Sequence, residues 1–125
     1  TDDIRVNLQQ ELLDNFKKDV EEQTKSNLKR AMDYVWDKIH KSVLVLHQDL
    51  DFGQVRDGSI NALHELVNAL PKLNLTDDQN LTNLHMELKE SMKGFEAKTI
   101  RTKPQARENA KKEAEKILNK IKGLI

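Results

Sequence analysis

Apolar side chains recur at three- and four-residue intervals almost everywhere between the four glycines and two prolines of this chain. Nowhere do polar and apolar residues alternate long enough to build a strand. That spacing matches the 3.6-residue turn of an α-helix, so the chain is expected to be all-α, a single helical bundle of about five helices over residues 1–125. Leu, Ile, Val and Phe supply 34 of the 125 residues, above the roughly 20% below which a chain tends to stay disordered. A core is therefore expected.

Ile4, Leu8, Leu12, Phe16 and Val20 stand at strict four-residue steps with Leu13 beside them, which predicts an amphipathic helix over roughly residues 3 to 24. Each step overshoots the helical turn by about 40°, so this stripe winds around its helix and needs a partner that crosses or wraps it. Residues 1–26 are on this ground a candidate protruding or dimerisation helix. The polar stretch Glu21 to Asn27 is either a break or an exposed turn or two of one very long helix. From Leu28 the stripe resumes through Met32, Val35, Ile39, Val43, Leu46 and Leu50, predicting helix to about Asp49.

Asp51 to Gln54 has capping-box spacing, and Val55, Ala62, Leu63, Leu66, Val67 and Leu70 form the next stripe. Gly58 leaves two starts open for this helix, Phe52 or Ser59, and it is expected to end before Pro71. A loop from Pro71 to Leu75 then leads to a second capping box, Thr76 to Gln79. The following helix carries Leu81, Leu84, Leu88 and Met92 up to Gly94. Phe95 to Arg101 suits a short helical turn anchored by Phe95 and Ile100. Thr102 is the expected cap of a last helix opened by Pro104, with Ala106, Ala110, Ala114, Ile117, Leu118 and Ile121 inward and Gly123 as its stop.

The 21 basic and 21 acidic residues cancel, so no global field steers the chain to nucleic acid or membrane. The distribution is uneven: residues 94–125 carry nine basic and four acidic side chains. Lys98, Arg101, Lys103, Arg107, Lys111, Lys112 and Lys116 are therefore the candidate contact surface for a partner or for nucleic acid, with Lys120 and Lys122 suited to the negative end of the helix dipole. Only Phe95 offers a base-stacking platform, so nucleic-acid binding is expected to be weak.

No catalytic set emerges. His40, His47, His64 and His85 never fall at the i, i+4 spacing of a shared metal, and His64-Glu65 has Asn68 where a zinc-protease motif needs its second histidine. Asp51-Phe52-Gly53 lacks the other kinase motifs. Asn74-Leu75-Thr76 and Asn80-Leu81-Thr82 match glycosylation acceptors, but no secretory signal accompanies them. With no cysteine, disulfides and thiolate chemistry are excluded, and the longest apolar run, Val43 to Leu46, is far too short to span a membrane. Arg56 and Asp57 are candidate structural pins, a guanidinium holding a loop by paired bonds to a carboxylate or to helix-terminal carbonyls, with Trp36 as a stacking wall.

Trp36, Arg56-Asp57 with Ser59, Leu63, Glu65-Leu66, Leu70-Pro71-Lys72-Leu73-Asn74, Asp78, Leu81, Ile100-Arg101 with Pro104 and Arg107, and Ala114 with Ile117-Leu118 form an ordered set. In that order the chain from Met32 onward resembles the C-terminal part of a group of uncharacterised proteins of tailed bacteriophages and prophages. Gly58 departs from that pattern. The resemblance implies a phage protein acting in bacterial cytoplasm. It also implies the C-terminal domain of a longer chain, and a chain that opens on Thr1 without Met is expected to lack part of the natural protein.

The function expected from all this is non-catalytic: protein interaction or assembly on a host or phage complex, with a protein partner or a homodimer. Ile4, Leu8, Leu12, Phe16 and Val20 are the candidate oligomer face. No cofactor, metal or membrane partner is expected. A bundle of this size is expected to offer surface rather than a pocket.

Overall fold

The computed structural model describes residues 2–124, and they are all-α. Five helices run in order: α1 (Asp2–Phe52), α2 (Asp57–Leu73), α3 (Gln79–Ser91), α4 (Ala97–Thr102) and α5 (Pro104–Leu124), with a 3₁₀ turn at Met92–Gly94 after α3. The chain divides into two compact units, residues 1–31 and 32–125.

The open question at Glu21 to Asn27 resolves as one uninterrupted helix of 51 residues. Polarity alone does not end a helix; what ends it is a residue that favours another backbone conformation, and the first glycine of the chain is Gly53. There the backbone turns left-handed, at φ 70°. The Gly53 amide donates to the Leu50 carbonyl at 3.2 Å and the Gln54 amide to the Asp49 carbonyl at 3.0 Å, the paired bonds of a Schellman stop. The Asp51 to Gln54 capping box is thereby corrected. Its residues close α1 and do not open α2.

α2 begins at Asp57, between the two expected starts, behind an extended Arg56 whose side chain makes no capping bond. It also runs through Pro71 to Leu73, which corrects the expected end before the proline. Proline sits in the last turn, where it removes one bond to the Val67 carbonyl, and the Asn74 amide still reaches the Leu70 carbonyl at 3.0 Å. Asn74 then staples the turn: its side-chain oxygen accepts from the Asp78 amide at 2.9 Å and its side-chain nitrogen donates to the Asp78 carbonyl at 3.0 Å.

Asp78, not Thr76, caps α3, accepting from the amides of Asn80 at 2.9 Å and Leu81 at 3.4 Å. Thr102 does not cap α5. Its hydroxyl turns back to donate to the Lys98 carbonyl of α4 at 2.8 Å, because a threonine at a helix end bonds its own preceding turn as readily as the next one. Gly123 lies inside α5.

Residues 32–125 share one hydrophobic core. Ile39, Val43 and Leu46 of α1, Leu63 and Leu70 of α2, Leu81, Leu84 and Leu88 of α3, Ile100 of α4 and Ala114 and Ile121 of α5 are its most deeply buried members. The alanines of α5 give that helix a flat inner face. Ile60 is buried where Ala62 was expected to be, and Ala62 is exposed; the α2 stripe is Ile60, Leu63, Val67 and Leu70, at the i, i+3, i+7, i+10 spacing of a single helix face.

Candidate functional site

The unit of residues 1–31 has no buried side chain among those described. Ile4, Val6, Leu8, Leu12, Leu13, Phe16 and Val20 all lie on its surface, with Leu12 69% and Phe16 66% exposed. Solitary exposed apolar residues are ordinary, but seven within seventeen positions are a patch. Five of them form one row at i±4 steps, the kind of ridge that packs across another helix at about −50°.

Part of the basic tail is engaged within the fold. Arg101 Nη1 meets Asp57 Oδ1 at 2.8 Å, Lys111 Nζ meets Asp51 Oδ1 at 2.6 Å, and Lys120 pairs with Glu87. Arg107 donates to the Arg101 carbonyl at 3.3 Å, and its guanidinium lies against Gly53, leaving its Nε buried with no hydrogen-bond partner. Arg101, Arg107 and Lys111 thus converge on the α1–α2 junction. The hydrogen bond that Lys111 donates to Asp51 holds the Asp51 carboxyl below its usual pKa and raises Lys111 above the ordinary lysine value. Lys98, Lys103, Lys112 and Lys116 make no ion pair among the described residues, and four scattered cations are a thin footprint for a phosphate backbone.

Arg56 does pin a carboxylate by two bonds, and the acceptor is Asp49, which the sequence did not single out. Arg56 Nε lies 3.4 Å from Oδ2 and Nη2 3.3 Å from Oδ1. The Ser59 hydroxyl donates to the same carboxylate at 2.9 Å. Asp49 therefore ties the end of α1 to the start of α2, while Asp57 serves Arg101. Trp36 is no stacking wall for this pin. It belongs to the core and stands thirteen residues from Asp49, roughly 20 Å along a helix, beyond the reach of an arginine held at Asp49.

The histidines fall apart as ligands. His64 Nε2 lies 3.2 Å from the Phe95 carbonyl and His47 Nε2 lies 3.1 Å from Glu115 Oε1, both ties between elements of the bundle. No group of three or more metal-ligating side chains is found among the described residues, and no helix is long and apolar enough to cross a membrane.

One groove corrects the expectation of a bundle without a pocket. It has a volume of about 450 Å³ and runs between Lys38, Lys41, Ser42 and Val45 of α1 and Gly58, Ser59 and Ala62 of α2, with Arg56 at its end. Val45 and Ala62 are exposed there. Tyr34, also exposed, stands one turn before Lys38 on the same helix. Sequence spacing missed the groove because Ala62 reads as an inward residue. The groove exists because α2 turns Ile60 inward instead.

No protein-family model, curated protein or solved structure matches the chain.

Proposed function

We propose that this chain is a non-catalytic helical interaction or assembly domain, encoded by a tailed phage or prophage and working in bacterial cytoplasm on a host or phage protein complex. The observation that carries the reading is the exposed apolar ridge of residues 4–20. A helix with that much uncovered apolar surface is stabilised by whatever covers it. The ordered features from Trp36 to Leu118 that resemble phage proteins support the setting.

The test is a cross-linking and co-purification comparison in phage-infected cells between the natural chain and Leu12→Lys/Phe16→Lys. Both positions are exposed, so the change leaves the core of residues 32–125 intact. Loss of the associated species in the variant is expected. Association undiminished by the two lysines would overturn the reading.

A further inference from the structure

We propose that the α1–α2 groove is the receptor for the amphipathic stretch 3–22 of a second copy of this chain, so that two copies exchange their N-terminal helices. This rests on the reading of the ridge as an interaction surface and names what covers it.

Two unpartnered surfaces are present, and their chemistry is complementary. The groove has an apolar floor at Val45 and Ala62 and a cationic rim at Lys38, Lys41 and Arg56. Lys41 is paired with Asp37 and Arg56 with Asp49; each cationic side chain stays 71% exposed, against 52% for Asp37 and 13% for Asp49. The rim thus presents its cations outward. Residues 3–22 carry six carboxylates against three cations, a net charge of −3, around an apolar ridge.

Charge also decides against the simplest alternative, ridge on ridge between two copies. In either orientation that pairing lays a segment of net charge −3 against an identical one, which costs rather than steers. Insertion into the groove brings the acidic flanks of the ridge to the lysines and Arg56 instead.

The sizes agree. A cavity of about 150 Å³ takes one benzene-sized group, so the 450 Å³ groove has room for roughly three large apolar side chains. Lys38 to Val45 covers about 10 Å of helix, and Leu8 to Phe16 about 12 Å. Leu8, Leu12 and Phe16 are the three side chains at that spacing. Against the roughly 800 Å² per partner of a standard interface, one insertion covers about 300 Å² of ridge, at roughly 100 Å² for each of the three exposed side chains. Exchanging two helices doubles it.

The experiment is a light-scattering and sedimentation titration of four samples. They are the natural chain, the ridge variant Leu12→Lys/Phe16→Lys, the groove variant Lys38→Glu/Ala62→Trp, and an equimolar mixture of the two variants. All four altered side chains are exposed, and cooperative melting of each variant confirms that residues 32–125 fold. The natural chain is expected to run at twice 14.5 kDa. Each variant alone is expected to dissociate at least tenfold more readily. The mixture recovers a dimer, because the intact ridge of one variant meets the intact groove of the other. A groove variant as dimeric as the natural chain would show ridge-on-ridge pairing and overturn the proposal, and so would a mixture that recovers no dimer. A natural chain that stays at 14.5 kDa at all concentrations also overturns it. In that last case the interaction reading stands or falls separately, on whether the ridge lysines abolish association in infected cells.

Discussion

Asp49 ties the end of α1 to the start of α2. Its carboxylate accepts from Ser59 at 2.9 Å and from two nitrogens of Arg56. The serine bond is partly buried and charge-assisted, a type worth roughly 1.5–3 kcal/mol. The arginine pair is solvent-screened and adds at most about 1 kcal/mol. Asp49→Ala is therefore expected to cost about 2 kcal/mol in urea unfolding with an unchanged denaturant slope, and Ser59→Ala to cost much less in the Asp49→Ala background than alone. Additive losses would show that the hydroxyl does not depend on the carboxylate. By contrast, Arg101 and Asp57 are both well exposed, and their pair is expected to be worth under roughly 1 kcal/mol. The arginine at position 56 was legible in the sequence as a pin. Its acceptor was not, because the six intervening residues include the α1 stop, and only the geometry of that stop brings the two side chains together.

Gly53 is the element-scale counterpart, since it ends a 51-residue helix. An added Cβ there would sit 3.3 Å from Arg107 Nη1 on a backbone at φ 70°. The left-handed conformation costs an ordinary residue roughly 1–2 kcal/mol, and reduced freedom in the unfolded chain returns only about 0.4–1 kcal/mol. Gly53→Ala is thus expected to destabilise by about 1 kcal/mol. Gly58→Ala, inside the first turn of α2 with nothing within 4 Å of the new Cβ, is expected to stabilise by about 0.5 kcal/mol. Thermal melts that gave both the same sign would contradict the assignment of Gly53 as the stop. The same pair shows what a sequence discloses. Met32 to Leu50, Leu81 to Met92 and Ala110 to Ile121 were readable as inward faces because burial enforces the helical period. The element ends were not. A polar run with an acid and a glycine serves an N-terminal cap or a C-terminal stop equally well, and at Asp51 to Gln54 the left-handed glycine decides. Pro71 reads as a boundary, yet in a last turn it removes only one bond. The groove was hidden for a related reason, since Ala62 reads as inward beside Leu63 while Ile60 completes the buried face of Leu63, Val67 and Leu70.

At the scale of the whole molecule, the two units draw their stability from different sources. Residues 32–125 have a shared core, whereas the described side chains of residues 3–30 are almost all exposed. Helix in such a segment rests on propagation alone. Nucleation, the costly step, is already met by the part of α1 that carries Met32 to Leu50, and each further residue adds one hydrogen bond at a propagation constant of about 1 to 1.6. A helix of that kind does not melt in one step. It frays from its free end, so amide protection in hydrogen exchange is expected to fall steadily from Met32 toward Ile4 at high dilution, while the core of residues 32–125 opens as a unit. Covering the ridge changes this, because burying Leu8, Leu12 and Phe16 adds about 1.5–3 kcal/mol per side chain to a segment that otherwise holds little. Raising the protein concentration is therefore expected to slow exchange over residues 4–20 by at least tenfold and to increase the helical dichroism, with no change at Ile39 or Leu84. Protection over residues 4–20 that is independent of concentration would mean that association is not what stabilises the helix.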